Sequence, residues 1–202
     1  MTFMKRILVS TAALAVLGAA LQAQVGKGLI DPNVASEQQL AGLPNMTPAI
    51  AKALVEKRPF MSITELNAFL LSQGLTQEQA NAVYGKAFVH INLNTATNEE
   101  ILLVPGAGRR MAREFPEYRP WRTYAQFDKE IGKYVGAEAT AKLAQYTFIP
   151  MNANTAADND LMTVPGATQA WADAVKKGRP YKTAADLEKT AGKAQARFFV
   201  VE

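Results

Sequence analysis

No cysteine occurs anywhere in the 202 residues, which excludes disulfide staples, an iron–sulfur cluster and a lipid-modified cysteine. Histidine occurs once, as His90, so metal or triad chemistry lacks the partners it needs, and no cofactor and no metal is expected. Net charge is scarce too. The formal charge is +4, and two of those cations, Lys5 and Arg6, precede the first apolar run. Without them the charge is +2, and residues 25–90, 91–150 and 151–202 each come within one charge of neutrality. Bulk charge therefore does not announce a nucleic-acid binder, and any basic surface must come from placement. Beyond the first two dozen residues no stretch is apolar enough to span a bilayer, so the mature chain is expected to have no membrane span.

What is present begins with a leader. Lys5 and Arg6 are followed by "ILVSTAALAVLGAAL" and then by the small residues of "LQAQ". This is the layout of a secretory signal peptide over residues 1–23, with cleavage after Ala23, and it implies a periplasmic or secreted mature protein. The run falls short of the roughly 20 residues that a membrane-spanning helix needs, which favours cleavage over anchoring.

The mature region repeats itself three times, as 24–90, 91–150 and a shorter 151–202. The openings read "IDPNVASEQQLAGLPNM", "INLNTATNEEILLVPGA" and "MNANTAADNDLMTVPGA". Offsets of 61 and 60 align Asn33, Asn94 and Asn154, then Pro44, Pro105 and Pro165, then Ala51, Ala112 and Ala172. They also align Arg58, Arg119 and Arg179, each followed by Pro and then by Phe60, Trp121 or Tyr181. Such periodicity signals one folding unit used repeatedly.

Each unit reads as short helices joined by tight turns. Ser36 with Gln39, and Thr97 with Glu100, have the spacing of a capping box. Ala157 replaces that cap in the third unit, whose first helix should start loosely. Leu40 and Leu43, Ile101 and Val104, and Leu161 and Val164 are three apart, on one helical face. Ile50 and Leu54, Met111 and Phe115, and Trp171 and Val175 are four apart on the next helix, with a small Ala between to allow close approach. Arg-Pro ends that helix, and Pro116 should end it about a turn early in the second unit. The three Arg are expected to cap carbonyls at the helix C-terminus. Phe60, Trp121 and Tyr181 read as core plugs, Trp121 perhaps half exposed beside Arg119 and Arg122. A third and fourth helix follow, turning at Gly74-Leu75-Thr76 and near Gly136, and in the third unit the last helix is missing or reduced. The predicted class is all-α, with no convincing strand period.

Between the first two helices stand "LPNMTPAIA", "VPGAGRRMA" and "VPGATQAWA". A turn of the form Pro-Gly-apolar-Gly between helices resembles the helix-hairpin-helix family. The secretory leader followed by "NxNTA" and this turn resembles ComEA-like competence proteins. The resemblance covers the mature chain as three tandem helix-hairpin-helix units. It implies an exported protein that grips double-stranded DNA without sequence preference, and no enzyme. Glycines let successive backbone amides point outward, and the next helix adds free amides and a positive dipole end. A phosphate read only by backbone carries no sequence information.

The second unit keeps the full pattern, with Gly106, Ala107 and Gly108 followed by Arg109, Arg110 and, one turn on, Arg113. The third keeps Gly166 but has Thr168 and then Gln169, and "AVKKGRPYK" adds Lys176 and Lys177 as a second candidate contact. The first has Asn45-Met46-Thr47-Pro48, which reads as an ordinary helix cap with Pro at the first position. A plainer reading stays open, since Arg109, Arg110 and Arg113 also suit a solvated face neutralised by Glu114 and Glu117. The run "RPFMSITELNAFLLSQGLTQEQANAVYGKAFV" also resembles the extrinsic subunit U of photosystem II. That resemblance implies instead a module docking on an envelope protein complex. DNA glycosylases that carry this hairpin need a larger helical domain around a catalytic residue, and "DNDL" at 158–161 is a helix start before it is a metal site.

Overall fold

The computed structural model describes residues 25–202, and the leader expected over 1–23 lies outside them. The described chain is mostly helical. The first segment contributes α1 (Glu37–Ala41), α2 (Pro48–Lys57), α3 (Ile63–Ser72) and α4 (Gln77–Tyr84). The second contributes β1 (Ile91–Asn92), α5 (Asn98–Leu102), α6 (Gly108–Glu117), α7 (Tyr124–Ala144) and β2 (Thr147–Phe148). The third contributes β3 (Met151–Asn152), α8 (Asp158–Leu161), α9 (Gln169–Lys177), α10 (Ala184–Ala191), α11 (Lys193–Ala196) and β4 (Phe199–Val200).

Local chemistry accounts for the helix ends. Ser36 and Thr97 each form a reciprocal capping box, with Gln39 and Glu100. Ala157 offers no side-chain cap, and α8 is four residues long. The α7 helix breaks at Gly136 (φ 79°), where the turn is expected. The last helix of the third segment shrinks to four residues after Gly192. Pro116 does not shorten α6, which runs on to Glu117. The proline sits in the final turn, where the ladder is ending anyway. The Phe115 carbonyl there accepts a bond from Trp121 Nε1 at 2.8 Å.

Four two-residue strands correct the expectation of a strandless chain. Ile91 and Asn92 pair in parallel with Thr147 and Phe148, and Met151 and Asn152 with Phe199 and Val200. A single parallel bridge, Ile30 to Ala87, does the same in the first segment. Each copy thus closes by laying its exit beside its entrance.

The matched Asn and Arg form a second closure. Asn94 Nδ2 donates to the Trp121 carbonyl at 3.0 Å, and the Trp121 amide donates back to Asn94 Oδ1 at 2.6 Å. Asn33 does the same to Phe60, and Asn154 to Tyr181. Arg119 reaches back to the carbonyls of Leu93 and Ala96, Arg179 to those of Ala153 and Ala156, and Arg58 to that of Ala35. These arginines are structural, but the carbonyls they cover belong to the opening turn of the copy and not to the helix they follow. Phe60, Trp121 and Tyr181 are all buried, so no part of Trp121 serves as surface. Replacing Asn94 with Ala strands both the amide and the carbonyl of Trp121. At about 1–3 kcal/mol for each unsatisfied group, the melting temperature is expected to fall by roughly 5–10 °C, and Asn94→Asp, which keeps the acceptor, should lose less. Thermal denaturation followed by circular dichroism measures both.

The buried side chains of the first two segments form one continuous core from Ala35 to Ile149. The third has its own, to which Val25 and Phe148 contribute. First and last segments meet at a buried polar cluster. Arg197 donates to the His90 carbonyl at 2.7 Å and to Asp31 Oδ2 at 3.3 Å, with its guanidinium 4.3 Å from the Phe198 ring centroid. His90 Nδ1 lies 3.7 Å from the same Asp31 oxygen, beyond hydrogen-bond reach, and Nε2 lies 3.1 Å from the Gly26 carbonyl. Among the described residues no helix is long and apolar enough to cross a membrane.

Candidate nucleic-acid interface

The three inter-helix turns share one backbone path. Asn45, Gly106 and Gly166 occupy the same place, with φ of 59°, 85° and 76°. The next residue, Met46, Ala107 or Ala167, donates its amide to the carbonyl of Leu43, Val104 or Val164. That left-handed residue turns the chain from one helix into the next, a conformation open to Gly and tolerated by Asn.

The copies part at the following residue. In the first, Thr47 Oγ1 accepts from the Ile50 amide at 3.2 Å, with Pro48 at the first helical position. In the third, Thr168 Oγ1 accepts from the Trp171 amide at 3.2 Å. In the second the matched residue is Gly108 (φ 60°), and the helix, capped by Ala107, receives no side-chain bond. The N-terminus of α6 therefore keeps the donor that its two counterparts satisfy internally. It is also open. A Cβ added at Gly106 or Gly108 would meet nothing within 4 Å, while Ala107 is buried as the anchor of the turn.

Arg109, Arg110 and Arg113 are all exposed, and none has a carboxylate within 4 Å among the described residues. Glu114 and Glu117 do not neutralise them. Arg110 lies over the ring of Tyr134, its guanidinium carbon 4.9 Å from the centroid. The Tyr134 and Tyr118 hydroxyls are 2.7 Å apart. That hydrogen bond holds the Tyr134 phenol above its usual pKa, so the ring stays neutral. Lys133 lies 5.7 Å from the Tyr118 ring centroid and pairs with Glu130.

No protein-family model matches the chain, and no curated protein or solved structure does either. The geometry of the turns is what speaks for a ligand.

The candidates in the third segment are arranged differently. A Cβ on Gly166 would lie 2.8 Å from Val34 Cγ1, so this turn abuts the first segment. Thr168 is engaged in capping its own helix. Lys176 bridges Asp158 at 2.8 Å and Asp173 at 3.1 Å, and those carboxylates raise its pKa. Lys177 is exposed, with no carboxylate within 4 Å among the described residues. The structure thus gathers Gly106, Ala107, Gly108, Arg109, Arg110 and Arg113 within one helix start, and leaves Gly166, Thr168, Lys176 and Lys177 on a separate segment. Tyr118 and Tyr134 join the first group without a sequence signal, because 16 residues and a change of helix separate them. Among the described residues no group of three or more His, Asp or Glu side chains is arranged to hold a metal ion.

Proposed function

We propose that this is an exported, non-enzymatic protein of tandem helix-hairpin-helix units that binds double-stranded DNA without sequence preference, as in DNA uptake. One observation carries the reading: the hairpin at Gly106–Gly108 is open and uncapped, and three exposed arginines without carboxylate partners follow it. Backbone amides at the start of α6 hold a phosphate oxygen, the helix dipole favours its charge, and a guanidinium adds a charge-assisted bond. The interface is small, so affinity per molecule is modest and electrostatic.

Contact with three or four phosphates gives a plot of log K against log salt with a slope of about −3 to −4. Fluorescence polarisation of residues 24–202 with random-sequence duplex, across a salt series, measures that slope. Binding that is absent, or that ignores salt, removes the reading. Thr168→Ala should leave the slope unchanged, because its hydroxyl serves its own helix.

The second reading is a periplasmic module that docks on an envelope protein complex. It is favoured by the capping roles of Thr47 and Thr168, which leave two of three hairpins without a ligand role. Recovery of an envelope complex in a pull-down that retains no DNA would decide for it.

A further inference from the structure

Arg110 differs from Arg109 and Arg113 in having a neighbour that orders it. Its guanidinium stacks over Tyr134, and Tyr134 is in turn fixed by the hydroxyl of Tyr118 at the end of α6. Glu114, one turn beyond Arg110, forms no ion pair with it. This stack belongs to the second segment alone. The positions matching Arg110 are Ala49 and Ala170, and those matching Tyr118 are Lys57 and Gly178. The copy whose hairpin lacks a cap is the copy that carries the stack.

An exposed arginine loses most of its rotamer freedom when it grips an anion, and that loss weakens the contact. A guanidinium stacked by its flat face on an aromatic ring has already lost part of that freedom, while its N–H edge stays free for an oxyanion. We infer that Tyr134 is a positioning residue, holding Arg110 pre-set for the phosphate oxygens of DNA at the Gly106–Gly108 hairpin. The inference rests on the duplex reading above. Arg110 is accordingly the strongest single contact of the three arginines, and the interface reaches from α6 toward the face of α7.

The test is a double-mutant cycle in residues 24–202, read by polarisation with random duplex at low salt. Arg110→Ala is expected to weaken binding about tenfold and Tyr134→Ala about three- to tenfold. The double variant should bind no more weakly than Arg110→Ala, and Tyr134→Phe, which keeps the ring, should stay within about twofold of wild type. Arg110→Lys keeps the charge without the flat stack and should fall about as far as Tyr134→Ala. The Arg110 Nε–H resonance should lie upfield in wild type and Tyr134→Phe and return downfield in Tyr134→Ala. A Tyr134→Ala loss that persists undiminished without Arg110, the lack of any loss, or wild-type binding by Arg110→Lys overturns the positioning role and leaves the duplex reading standing. An unshifted Arg110 resonance in wild type overturns it with no DNA present. Failure of the wild-type protein to bind duplex at all overturns both.

Discussion

Replacing Arg109 and Arg110 together with Glu is expected to abolish retention of duplex DNA and leave the fold unchanged. Both side chains are exposed and unpaired among the described residues, so their replacement removes no internal contact that the hairpin needs. The change does more than delete two cations. It sets two carboxylates beside a helix start that favours anions, where they compete with phosphate for the free amides and repel the backbone. A loss of at least about a hundredfold at low salt follows from two charge-assisted bonds. The melting temperature should hold within about 2 °C, as for substitutions remote from buried features. Polarisation and a thermal melt on the same sample separate the two effects. Full binding by the reversed protein would hand the function to the protein-docking reading.

The largest expected loss of stability lies elsewhere, at the cluster joining the first and last segments. Asp31→Ala leaves Arg197 buried without its counter-charge, and breaking a buried pair in this way costs about 3–5 kcal/mol. A fall in melting temperature of roughly 10 °C or more should result. Changing both members, Asp31→Asn with Arg197→Met, should recover much of it, since a matched apolar replacement leaves no stranded charge. The cluster also ties stability to acidity. Burial by itself raises the Asp31 pKa, but the facing His90 ring, the Arg197 charge and the Asn33 amide outweigh it and hold the carboxyl below its ordinary value. With the native pKa lowered, the stabilisation is complete above about pH 4, where the unfolded carboxyl is ionised. It is lost as the pH drops from there through the native value. Wild type should therefore weaken between pH 5 and pH 3 more steeply than Asp31→Asn, as denaturant melts at stepped pH would record.

Much of the helical layout was legible from spacing. Leu40 with Leu43 and Ile101 with Val104 lie buried on the faces their intervals imply. Thr97 with Glu100 caps where its motif stands, and Gly136 breaks a helix where it was expected to. What escaped was everything built from single residues far apart. A strand of two residues has no period to detect, so the pairing of Ile91 with Thr147 left no trace. The repeat marked Asn94 and Arg119 as matched, yet their targets, the Trp121 backbone and the Leu93 and Ala96 carbonyls, appear only once the chain has folded back. Arg197 reaches Asp31 across 166 residues, a distance no local pattern bridges. At the candidate site the glycines and arginines announced themselves. Tyr134 did not, because its relation to Arg110 depends on how α7 packs against α6.

The parallel closure of each copy bears on how such a chain can grow. A segment that finishes where it started behaves as a cassette: genetic duplication can splice in another with little disturbance of the path on either side. Arg197 sets a limit on that freedom, since it clasps the first cassette from within the last. A fourth inserted anywhere between them would pull the clasp apart, so the number three is written into the molecule by a single guanidinium.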